Sequence, residues 1–91
     1  MMIPIGRMVP GADIDFSLDL AKKIPTGEIL TAGTVTMRSG AQAASATFSS
    51  IEGTKVLFRV VATAKGKATF DVVGTFSNGR DDGEQMVVFV D

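Results

Sequence analysis

The chain has 91 residues, 45% hydrophobic and 21% charged, and its nine basic and ten acidic side chains leave a net charge of −1. That length bounds a single domain with a modest core, and the composition is that of a folded chain. There is no His, Cys, Trp or Tyr, which excludes imidazole relays, Cys–His pairs, disulfides and thiolate zinc sites. Without a block of like charge there is no electrostatic footprint for nucleic acid or an anionic membrane.

Residues 1–12 carry two prolines and two glycines, which disfavour a helix or a central strand. They are expected to form an extended N-terminal arm on which Ile3, Ile5, Met8 and Val9 dock against a neighbouring subunit, because an apolar arm is poorly placed in water. The arm lacks the basic start and unbroken apolar stretch of a signal peptide. No window approaches the roughly 18 apolar residues that span a bilayer, so the expectation is a chain made in the cytoplasm.

Ile14 to Leu20 alternates strictly, with Ile14, Phe16, Leu18 and Leu20 on one face and Asp15, Ser17 and Asp19 on the other. That period predicts a strand, and a helix would scatter the acids through the apolar face. Ile24-Pro25-Thr26-Gly27 signals a loop. A second strand is expected over 29–37, burying Val35 and Met37 with Gly33 at a close approach or bulge. The small, polar stretch 38–45 has room for one poor helical turn over Ala41–Ala44.

Strands follow over 46–51, centred on Phe48, then 55–63 and 67–76, with Ala64-Lys65-Gly66 as a hairpin-sized connection. Asn78-Gly79 and Asp82-Gly83 are both turn dipeptides. The last run, Met86-Val87-Val88-Phe89-Val90, is apolar on both faces, so both faces should be covered. This reads as a central strand, with Val87 and Phe89 as a second contact for a partner.

Six to seven strands at this spacing predict an all-β, antiparallel two-sheet sandwich, with a small barrel as the other arrangement of the same pattern. Its core would hold Phe16, Phe48, Phe58, Phe70 and Phe76. Asp13, Asp15 and Asp19 read as a solvated outer face. Asp81-Asp82-Gly83-Glu84 lacks the spacing of a calcium loop and reads as a hairpin tip. No metal, cofactor or catalytic group is expected.

Five segments carry a resemblance: Asp13-Ile14-Asp15-Phe16, Gly27-Glu28-Ile29-Leu30, Val56–Val60, Gly74–Asp82 and Val87–Val90. In that order they resemble small immunoglobulin-like proteins of tailed bacteriophages. Thr75, Ser77, Gly79, Arg80 and Asp82 match that family's pattern T-x-S-x-G-R-x-D before the last apolar strand. The resemblance spans residues 13–91, although the two Trp usual in the family are absent. It implies an immunoglobulin-like β-sandwich of about seven strands and a non-enzymatic accessory protein of the virion. Such a protein would act as an adaptor or capsid decoration, bind capsid, neck or tail proteins, and form a homo-oligomer or join a lattice. The other reading is a carbohydrate or host-surface adhesion module using the loops 39–45 and 78–83, against which the missing Trp and Tyr count.

Overall fold

The computed structural model describes residues 2–91, with side-chain surroundings from Ile5 onward. Seven strands make up the described regular structure: β1 (Met2–Met8), β2 (Asp13–Asp19), β3 (Leu30–Met37), β4 (Ala44–Glu52), β5 (Lys55–Ala62), β6 (Gly66–Phe76) and β7 (Asp81–Val90). One sheet has the order β1-β7-β6-β3 and the other β2-β5-β4. An immunoglobulin sandwich places strands B, E and D in one sheet and C, F and G in the other. Reading β2 to β7 as B to G reproduces that arrangement, with β1 added beside the last strand.

The alternating pattern fixes which side chains meet between the sheets. Val56, Phe58 and Val60 of β5 and Ala68, Phe70 and Val72 of β6 are fully enclosed. Phe58 stacks on Phe16 of its own sheet at 5.9 Å between ring centroids and meets Phe70 of the facing sheet edge-on at 5.7 Å. Offset and edge-to-face pairs of this kind suit the ring quadrupole, and this one bridges the two sheets. Phe76 is also buried, but Phe48 is exposed. As a member of the edge strand β4, Phe48 has a neighbour on one side only, and its ring lies over Gly33 of β3.

Residues 2–8 are not a free arm. They form β1, parallel to β7, with partners running from Met2 and Gln85 to Met8 and Val90 and a register shift between Pro4 and Arg7. The sheet is therefore mixed. β7 supplies the physical reason, since a strand apolar on both faces belongs inside a sheet. β1 is the edge, where the missing Pro4 donor is tolerated. Gly6, at φ 135°, lies in the shifted stretch.

Three further expectations change. The 41–44 stretch has no helical turn, and β4 begins at Ala44. Residues 63–65 join strands of different sheets, so they form no hairpin. Asp82-Gly83 lies within β7, opposite Gly74 and Val73. A Cβ on Gly83 would overlap the Val72 carbonyl oxygen, so this glycine answers a close backbone approach and not a turn. Asn78-Gly79 does turn the chain: Gly79 has φ 87° and its N–H donates to the Phe76 carbonyl at 2.9 Å.

With β1 part of the domain, Met8→Ala should lower stability by about 2–5 kcal/mol. Val9→Ala, at the exposed neighbouring position, should stay within about 0.5 kcal/mol. Urea unfolding of the two variants checks this, and equal small losses would mean that β1 does not belong to the core.

Candidate protein interface at the β1–β2 end

The chain reverses from β1 into β2 through Val9-Pro10-Gly11-Ala12. The Ala12 N–H donates to the Val9 carbonyl at 3.0 Å and Gly11 has φ 88°. Proline second and a left-handed glycine third is the pattern of a type II turn. Its far side is tied to β5: the Gly11 N–H donates to the Ala62 carbonyl and the Ala62 N–H to the Ala12 carbonyl, each at 2.9 Å. The result is a rigid tip on which Val9 is 63% exposed while Met8, one residue earlier, is 3% exposed.

Beside the tip, Arg7, Met8, Val9, Ala12, Ile14 and Asp91 line an open hollow of about 350 Å³. Ile14 points between the sheets but stays exposed, because no strand flanks β2 on that side. Arg7 closes the hollow with an ion pair to Asp91 at 2.5 Å. Its guanidinium also lies 5.6 Å from the centre of the Phe89 ring, within cation–π reach. Arg7 thus links the hollow lined by Val9 and Ile14 to the Phe89 ring at one end of the sandwich.

The residues expected to contact partners separate into two groups. Met8 belongs to the chain's own core and Ile5 packs against it. Val87 is 6% exposed, in register between Pro4 and Thr69. These three are satisfied by their own domain because β1 covers β7. The side chain of Ile3 lies outside the described residues. Val9 and Phe89, the latter 37% exposed, remain at the surface. Ile14 was not anticipated, because alternation assigns it to the buried face without showing that the face ends there.

At the opposite end, Ala21, Ile24, Pro25, Ile29 and Leu30 line a cleft of about 430 Å³. Glu28 anchors its wall by accepting a hydrogen bond from the Ser77 hydroxyl, whose oxygen accepts from the Ile29 N–H at 3.0 Å. Lys23, on the same loop, pairs with Glu84 at 2.8 Å and, more distantly, with Asp82. The bond to Glu84 is the main reason that its ammonium is held above the usual lysine range.

Asp13 and Asp19, two of the outer acids of β2, are exposed and hydrogen-bonded. Asp13 binds the Arg59 guanidinium, which holds its carboxyl below the usual range. Asp19 is lowered by the Ala21 N–H and then by the Thr54 hydroxyl. Among the described residues no group of three or more acids forms a metal cluster. The stretches 39–45 and 78–83 sit toward opposite ends of β6, since Met37 pairs with Phe70 and Leu30 with Phe76. They do not converge on one ligand, and the Gln42 amide within the first loop is engaged by Arg38, Ser39 and Thr69.

No protein-family model matches the chain, and no curated protein sequence matches it.

The two lowered carboxylates set a direction for pH dependence. Their contribution is complete above the unfolded value of about 3.9 and is lost as pH falls through the folded values. Urea midpoints should therefore hold steady down to about pH 5 and drop below about pH 4. Asp13→Asn with Asp19→Asn should flatten that drop, by a small amount because both groups are exposed. An unchanged acid limb would contradict the assignment.

Proposed function

We propose that this chain is a non-enzymatic structural module of a tailed-phage virion, an adaptor or capsid-decoration protein that docks on other virion proteins through its β1–β2 end. The observation that carries the reading is Val9, presented at 63% exposure on a rigid turn of a sandwich whose core is already closed without it. Ile14 and Arg7 line the same hollow, and Phe89 lies against Arg7. Of these residues Arg7 is the type enriched at interface hot spots, and the exposed apolar side chains beside it supply surface to bury against a partner. The sequence has no His or Cys, the commonest general base and the most nucleophilic side chain, which supports binding over turnover. The virion as the setting rests on the resemblance of residues 13–91 to phage proteins of this architecture.

Tailed particles purified from a host carrying the gene should contain the chain, measured by mass spectrometry. Val9→Glu together with Ile14→Glu should reduce its incorporation about tenfold or more, the cost of one lost anchor, without unfolding it. Particles that never contain the chain would refute the proposal.

A further inference from the structure

The two ends of the sandwich are complementary. One carries the Val9–Pro10 tip, an apolar projection fixed by its turn hydrogen bond and by two bonds to Ala62. The other carries the Ile24–Pro25–Ile29 cleft, open and mainly apolar, with Ile29 65% exposed at its rim. β2 and β5 separate them: residues 9–12 continue past the Asp13 end and the cleft lies past Asp19. The long dimension of the molecule is 43 Å.

Charge follows the same axis. The tip's end, residues 7–12, 63–67 and 89–91, has three basic side chains against one acidic. The cleft's end, residues 19–30, 52–55 and 77–84, has six acidic against four basic. Two copies stacked in the same direction therefore bring opposite excess charge together, and two copies stacked tip to tip do not.

We propose that the chain binds itself head to tail, with the Val9–Pro10 tip of one copy seated in the Ile24–Pro25–Ile29 cleft of the next. This deepens the docking reading of the tip above, on which it rests, by adding a second copy as a partner; in an open file the last copy's tip stays free for another virion protein. The cleft's volume falls in the range of sites that enclose small apolar groups, and a tip already fixed by its turn loses little freedom on insertion. Because knob and socket are different surfaces, the contact is heterologous, and it yields an open file or a ring according to the rotation between copies.

Sedimentation velocity of the full chain at low salt tests this. The wild type should exceed about twice the monomer mass as concentration rises, from a monomer of 9.5 kDa, and should weaken as salt screens the ends. Val9→Asp and Ile29→Asp should each remain monomeric. Both sites are exposed, so urea midpoints should match the wild type; Val9→Ser and Ile29→Ser repeat the comparison with less polar change. Mixed together, the two Asp variants should give a dimer and nothing larger, because the Ile29→Asp copy keeps an intact tip and the Val9→Asp copy an intact cleft. A wild type that stays monomeric overturns the inference, as do variants that assemble normally or a mixture that stays monomeric. Incorporation of a monomeric wild type into particles would overturn this inference alone. Head-to-tail association by a chain absent from particles would support it and overturn the virion reading.

Discussion

β1 lies along β7 in parallel register, and most of what the domain can offer another molecule follows from that pairing. β7 is buried on its inner face by Met86, Val88 and Val90, and Val87 on its outer face is also enclosed. Left without β1, its outer edge would expose a row of unpaired backbone groups beside apolar side chains, a template for uncontrolled association. The pairing removes that edge and inserts Met8 into the core. It also sets Ile5 against the chain's own core, whereas the next residue after Met8, Val9, faces outward.

The rest of the core is assembled from few kinds of contact. Phe16, Phe58 and Phe70 form a continuous aromatic bridge between the sheets, and valines and alanines fill the layers beside it. No buried side-chain polar atom among the described residues lacks a partner, so the interior carries no uncompensated desolvation cost. The ion pairs among the described residues lie at or near the surface, where solvent screening leaves each with little weight in stability. Apolar burial and strand pairing therefore hold this small domain together. Its surface charges are left to act on orientation, as the unlike ends of the molecule illustrate.

Period-two alternation made β2, β3, β5 and β6 legible in the sequence, along with the buried faces that carry Phe58, Phe70 and Val72. Alternation reports which side of a strand a residue occupies. It does not report which strand lies alongside. That is why Phe48 and Ile14 read as core residues yet sit at sheet edges, and why residues 63–65 looked like a hairpin while crossing between sheets. β1 was hidden for a different reason: Pro4, Gly6 and Pro10 argue locally against a strand, and only the need of β7 for a neighbour overrides them. Asp82-Gly83 shows the same limit, a turn dipeptide by composition whose glycine is required by the approach of β6. Of the candidate interface, Val9 and Phe89 were visible as apolar residues without an evident internal role, whereas the cleft at Ile29 arises from a loop fold that no local pattern encodes.

If β1 is an integral strand, the amides that join it to β7 should resist exchange with solvent as the core does. Native-state hydrogen exchange, residue by residue, measures this directly. The account predicts that the paired amides of β1 and the outer-edge amides of β7 exchange as slowly as those of β6, through opening of the whole domain. Fast exchange along β1 with matching loss of protection on the outer edge of β7 would contradict it, and would restore the first residues to the role of a free arm.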